Sequence, residues 1–205
     1  MKADKTGDKP RPSRIEVLPV TPQRWKDMQQ LFGPRGACDG CWCMWFRLAR
    51  SIYAHQRGDG NRRAMAAIVR SGEVPGLIAY VDGRPVGWVS VGPRERYPVI
   101  GRSRTLQPID DRPVWSIVCF FVARDFRGRG VTRSLVQGAQ AYAREQGATI
   151  VEAYPVEPAK AKIAADAAYH GLATTFFAEG YREVARRSPT RPIVRKRFRR
   201  RPERG

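Results

Sequence analysis

The longest apolar run in the chain is VWSIVCFFV, residues 114–122, rich in β-branched and aromatic side chains. At that length it predicts a buried strand. Beyond it, Val131, Leu135, Val136, Ala139, Tyr142 and Ala143 recur at helical spacing, and Gly147 offers a stop. A strand, a loop and a helix N-terminus therefore follow one another. Upstream, IEVLPV at 15–20 reads as a strand, and Thr21-Pro22 opens a helix to about Phe32, with a cap residue followed by proline. Residues 33–60 are rich in glycine, arginine and aromatics without a steady period, which predicts a partly helical loop. A second helix is expected over 62–69. GLIAYVDGRPVGWVSV then reads as two strands joined at Asp82-Gly83, a hairpin signal.

Residues 93–113 are proline-rich and aperiodic, and predict a long connection into the central strand. After the central helix comes a strand through about Tyr154, then an irregular crossover over 155–171. A short helix at 172–179 and strands at 181–187 and 192–198 complete the pattern. No internal repeat is visible.

The loop at the strand-helix junction is RDFRGRGVT. At a helix start the first backbone N–H groups lack partners and the dipole is positive, which makes an anion site. Gly128 and Gly130 permit close backbone approach, and Arg127 and Arg129 add charge. A phosphate-bearing ligand is implied. The chain contains no G-x-x-x-x-G-K-[ST] run, so the loop is not a Walker loop. A dinucleotide fingerprint would need glycine where Arg133 stands; Glu152, about twenty residues on, is all that reading has in its favour.

The same residues resemble the acyl-CoA loop of the GNAT superfamily of N-acetyltransferases, [RQ]-x-x-G-x-[GA] after a strand ending in valine. Here that reads Arg127, Gly130 and Thr132, with Val122 closing the strand. Thr132 departs from the pattern but is small, with a hydroxyl able to donate to a phosphate. FFAEGYREVARR at 176–187 resembles the second landmark, a short helix, a glycine and an aromatic opening the next strand. The WCMW stretch resembles one in a bacterial subgroup. The resemblance implies a single α/β (α+β) domain over 15–198, with a mixed, mostly antiparallel sheet flanked by helices.

Composition narrows the remaining classes. The chain has 205 residues, 42% of them hydrophobic, enough for one domain with a core. The opening MKADKTGDKPRP lacks an apolar signal region, and the apolar run around residue 118 is too short to span a bilayer, so a cytoplasmic protein without membrane contact is expected. The formal net charge is +19. Residues 1–14 carry five basic and two acidic groups, and residues 182–205 carry eleven and two. Basic tails at 1–14 and 199–205, part of the run RKRFRRRPERG, suit nonspecific nucleic-acid contact. Arginine outnumbers lysine 31 to 7, which a general bias also produces, and no recognition motif accompanies the charge.

Three of four cysteines sit in CDGCWCMWF, at 38, 41 and 43, with Cys119 mid-strand. The cluster has zinc-knuckle crowding but no second knuckle, and a reducing compartment disfavours disulfides. No metal is expected. Buried small hydrophobes are the simpler reading. Cys119 as an acyl nucleophile has no identifiable histidine base.

The resemblance further implies acetyl-CoA as cosubstrate, its pyrophosphate on the N–H groups of Arg127, Gly128, Arg129, Gly130, Val131 and Thr132. Its pantetheine would pair with backbone near Phe121, Val122 and Ala123. Transfer would be direct to an amine of a small molecule or protein, by a monomer or homodimer. Two family positions are filled unusually: Phe176 stands where many relatives have an acidic tyrosine, and Ser116 where some have a glutamate base. On VEAYP, Glu152 and Tyr154 alternate onto one face, which makes Tyr154 the candidate acid and Glu152 the candidate base. The competing functions are a CoA-binding module without catalysis and a basic nucleic-acid- or ribonucleoprotein-associated protein. Trp42, Trp45 and Phe46 are candidates for an acceptor pocket or for core.

Overall fold

The computed structural model describes residues 14–158 and 168–199. The stretches expected as tails lie outside it for residues 1–13 and 200–205, as does part of the crossover, 159–167.

The hydrophobic pattern becomes seven strands in one sheet: β1 (Glu16–Pro19), β2 (Gly76–Val81), β3 (Arg84–Pro93), β4 (Trp115–Val122), β5 (Ile150–Ala153), β6 (Arg182–Arg186) and β7 (Pro192–Arg197). Their spatial order is β1-β2-β3-β4-β5-β7-β6, antiparallel except for the β4/β5 pair. The helices are α1 (Trp25–Phe32), α2 (Arg50–His55), α3 (Asp59–Arg70), α4 (Pro98–Gly101), α5 (Val131–Glu145) and α6 (Ala173–Ala178). This is the mixed, mostly antiparallel sheet flanked by helices that the resemblance implied.

The sheet buries both faces, which explains why β2 and most of β3 read as continuous apolar runs. On one face α5 turns Val131, Leu135, Val136, Ala139 and Ala143 inward against β2, β3 and β4. Gly138 lets this helix sit close: a Cβ there would lie 2.5 Å from Val17 Cγ1. The opposite face carries α1 and α3, whose Met28, Leu31, Phe32, Met65 and Val69 pack with Trp88, Trp42 and Met44. A third cluster, including Phe46, Tyr97, Val118 and Tyr154, fills the region beyond.

Several boundaries moved. The expected connection over 93–113 contains the short helix α4, where Pro98 supplies a ready first turn. α3 begins three residues earlier than its apolar spacing indicates, because Asp59 occupies its first turn, where a carboxylate suits the dipole. The strand expected over 192–198 is β7, Pro192–Arg197; within it Arg195 is buried, and beyond it the Phe198 N–H reaches Thr149 O at 2.8 Å. The Arg195 charge is drawn into the fold by partners described below.

Candidate active site

Two irregularities in the sheet create the site. β4 and β5 pair at only three positions, Trp115 with Val151, Ser116 with Glu152 and Ile117 with Ala153, after which β5 stops and β4 runs on to Val122. The strands part there, and among the described residues no strand pairs with that edge of β4 beyond Ile117. The β3/β4 register also shifts between Ser90 and Val91, so that Ser90 faces Cys119 and Val91 faces Ile117. Val118 is the extra residue of this bulge, and its carbonyl is held by His170 Nδ1 at 3.1 Å.

At the end of β4, a short 3-10 turn, Arg124–Phe126, leads into the glycine-arginine loop. Gly128 and Gly130 both take left-handed backbone, φ 78° and 83°, and Gly130 caps α5. No side chain caps the helix start, and its first turn holds no acidic residue. Its leading N–H groups are therefore free of intrahelical partners beside a concentration of arginine. Arg127 Nε donates to Val122 O at 3.1 Å, which ties the loop to the strand end. Arg129 stacks on Phe126, its guanidinium carbon 5.4 Å from the ring centre, with Arg84 at 5.5 Å on the same ring. A cradle of about 270 Å³ lies here, lined by Phe126, Arg127, Gly128, Gly130, Val131 and Thr132, among others.

The cradle shares Val122, Arg127, Gly128, Thr132 and Thr175 with a cavity of about 1010 Å³. Cys119, Phe120, Phe121 and Val122 of β4 form one wall. Tyr169, Gly171, Leu172 and Thr175 line the cavity beyond the splay. The far end is made by the aperiodic segment and α2: Cys41, Cys43, Trp45, Phe46, Arg50 and Tyr53. Arg47 pins that segment to the sheet through Glu73 at 2.8 Å and Pro75 O at 3.3 Å, with its guanidinium over the Tyr97 ring. Trp45 and Phe46 thus line the cavity, whereas Trp42 packs in the core against Trp25 and Phe32.

The residues expected for phosphate and pantetheine, Phe121, Val122, Ala123, Arg127, Gly128, Arg129, Gly130, Val131 and Thr132, are brought together along this strand and loop. Of these, Ala123 has its N–H committed to Val86 O at 2.9 Å and Arg127 to Arg124 O at 3.4 Å. The two expected for proton transfer are placed differently. Neither Tyr154 nor Glu152 lines the cavity. Both are 1% exposed. The Tyr154 hydroxyl donates to Glu152 Oε1 at 2.5 Å and lies 3.1 Å from Ser116 Oγ, while Glu152 Oε2 accepts from Arg195 Nε at 2.6 Å. Arg195 in turn donates to both Asp110 oxygens, at 2.7 and 2.9 Å. Burial, then the neighbouring Glu152 charge, pushes the Tyr154 phenol well up. Strand alternation placed the pair on one face correctly. That face turns into a closed polar chain, because β5 ends at Ala153 and Arg195 comes across from β7.

Phe176 and Ser116 are accounted for similarly. Phe176 is fully buried between Phe120 and Tyr181, at ring separations of 6.0 and 5.1 Å, where a hydroxyl would have to find a partner in the core. Ser116 belongs to the Tyr154 chain. Sequence reasoning missed Tyr169, which lines the cavity, is 38% exposed and stacks on His170 at 4.0 Å. Burial pushes its phenol up, and burial with the nearby Arg191 holds His170 down at about 3, a neutral imidazole. Its only signal was position, just before Gly171 at the entry to α6. Among the described residues no group of three or more histidine, cysteine or carboxylate side chains is disposed to hold a metal. No helix among them is long and apolar enough to cross a membrane.

The profile described as the acetyltransferase (GNAT) family matches residues 42–171, and the chain belongs to that family. Solved structures carry the fold at low identity. An acetyltransferase of the GNAT family from Listeria monocytogenes is 11% identical with a TM-score of 0.55, covering 90% of this chain and 95% of its own. A second, from Streptococcus agalactiae, is 14% identical with a TM-score of 0.52 over 93% and 99%. A ribosomal-protein-alanine N-acetyltransferase from Brucella melitensis is 16% identical with a TM-score of 0.51 over 89% and 99%. No curated protein matches the chain.

Proposed function

We propose that the protein transfers an acetyl group from acetyl-CoA to an amine by direct attack on the thioester. The observation that carries this reading is the continuity of the loop cradle with the open edge of β4. One end offers uncommitted N–H groups and arginines for a pyrophosphate, and the strand edge offers backbone for a pantetheine arm. The thioester then falls near the splay, between the aromatic end of the cavity and Tyr169. Family membership and a fold shared with N-acetyltransferases support the same assignment.

A neutral amine attacks the carbonyl carbon, the tetrahedral oxyanion collapses, and CoA leaves as a thiolate that gains from a proton donor. Tyr169 is the donor we assign, as the hydroxyl on the cavity wall beyond the splay. Glu152 and Tyr154 hold the strands on either side of the splay in place instead of exchanging protons with substrate. The acceptor end is aromatic, and among the described residues its one lining carboxylate, Asp39, is paired with Arg57. An amine with an apolar body suits it better than a polycation does.

The test is release of free CoA thiol over a panel of amines, including tryptamine and spermine, for the parent and Tyr169→Phe. Turnover is expected with the apolar amine, and a fall of roughly 10²-fold or more in kcat for the variant, with CoA binding retained. CoA binding without turnover of any amine would favour the non-catalytic module. No CoA binding would overturn both.

A further inference from the structure

All four cysteines of the chain, Cys38, Cys41, Cys43 and Cys119, line the large cavity, although one of them is some eighty positions from the rest. Acetyl transfer by direct attack uses no thiol of the protein. The segment carrying three of them adopts an unusual backbone. Ala37, Asp39, Trp42 and Cys43 hold positive φ of 69°, 51°, 46° and 56°. Left-handed backbone at non-glycine residues carries a steric cost and persists only where the surroundings fix it. The reversals fold the Cys-x-x-Cys-x-Cys run onto the sheet, where Cys43 meets Cys119 of β4.

The environment of the two thiols is specific. Cys43 Sγ accepts from Trp88 Nε1 at 3.1 Å, and Cys119 pairs across the ladder with Ser90, two residues on from Trp88 on the same face of β3, so that both thiols line the cavity at neighbouring positions. The neighbouring Cys119 thiol outweighs burial and, with the Trp88 N–H and the Arg47 charge, holds Cys43 down. The Cys43 thiol, with burial, pushes Cys119 well up. Cys43 is thereby the more acidic thiol and Cys119 the less acidic one, the asymmetry of an attacking and a resolving cysteine. Cys41 is half-buried and Cys38 is exposed. Cys43 is only 7% exposed, so a small oxidant is favoured over a bulky disulfide.

We propose that Cys43 and Cys119 are an oxidisable dithiol in the cavity wall whose reactant is a hydroperoxide. The Cys43 sulfur attacks one peroxide oxygen, the O–O bond breaks, and with hydrogen peroxide one water leaves as the sulfenic acid forms. The Cys119 sulfur then attacks the sulfenic sulfur, the S–S bond forms, and the hydroxyl departs with the Cys119 proton as a second water. Two thiols are oxidised to one disulfide as one peroxide is reduced. The link ties the segment around Cys43 to β4 across the wall that the acetyl-transfer reading gives to the acceptor. The thiol chemistry itself stands without that reading.

The test is peptide mapping by mass spectrometry, under non-reducing conditions, of the reduced full-length protein after equimolar hydrogen peroxide. The expected result is a linked Cys43–Cys119 peptide pair, separated again by dithiothreitol, with Cys38 and Cys41 still free. In Cys119→Ala no Cys43–Cys119 pair forms, and Cys43 is recovered as the sulfenic acid, trapped as its dimedone adduct. Recovery of Cys43 and Cys119 as free thiols, or a linked pair that contains Cys38 or Cys41, overturns the proposal. The map of the unmodified protein decides this even where Cys119→Ala fails to fold. It needs no acceptor or turnover, so a protein without acetyltransferase activity would still yield the linked pair.

Discussion

Glu152→Gln separates a structural from a chemical role for the carboxylate. The side chain is buried, accepts from Tyr154 and Arg195 at 2.5 and 2.6 Å, and has Arg94 at 3.9 Å. Glutamine keeps the shape and one acceptor oxygen but removes the charge that faces a buried guanidinium. Deleting one partner of a buried ion pair typically costs about 3–5 kcal/mol. Arg195 keeps both bonds to Asp110, and a glutamine amide can still engage the Tyr154 hydroxyl, so the lower end, about 3 kcal/mol, is expected. In a chain of this size that lowers Tm by about 6–12 °C. Differential scanning calorimetry or thermal circular dichroism, with urea melts for the free energy, measures it. A Tm within about 2 °C of the parent, together with a collapse of turnover at intact CoA affinity, would refute the structural reading and return Glu152 to the role of base.

Two further outcomes follow from the same geometry. His170, ordinarily near 6.5 and held at about 3, and Asp110, ordinarily near 3.8 and held at about 2, both titrate lower in the folded protein than in the unfolded chain. The unfolded chain therefore binds more protons, and stability, complete above about pH 6.5, falls as the pH drops, through His170 first and Asp110 below pH 4; a Tm unchanged between pH 6.5 and 4.5 would contradict the His170 environment. Gly130→Val places a β-branched residue at φ 83°. Its Cβ meets nothing in the protein, so the cost, about 1–3 kcal/mol, falls on the left-handed backbone that aims the loop N–H groups. CoA affinity should drop about 5- to 150-fold by calorimetric titration, and an unchanged Kd would remove the loop from the site.

The loop was the most legible part of the chain, because its chemistry is local: two glycines, four arginines and a helix start determine it within a dozen residues. Strands β2 and β4 were legible through largely apolar runs at 76–81 and 114–122. The fate of Glu152 and Tyr154 was not legible, since it depends on Arg195 arriving from β7 and Asp110 from the proline-rich connection, contacts that strand alternation cannot express. The segment at 33–60 was opaque for another reason. Its conformation is set by positive-φ residues and by Arg47 reaching Glu73, which leave no period to read. Tyr169 escaped because its access to the cavity depends on how the crossover returns beside β4.

The brevity of the β4/β5 pairing has a mechanical consequence. Three residue pairs are the whole backbone seam between a four-stranded unit braced by α5 and the three-stranded unit β5, β7 and β6. A molecule lying in the splay with groups on β4 and on the segment leading into α6 would act as an additional rung across that seam. Its binding would then be felt as rigidity as much as affinity, and amide exchange in β5 and β7, far from any phosphate, should slow on saturation with CoA.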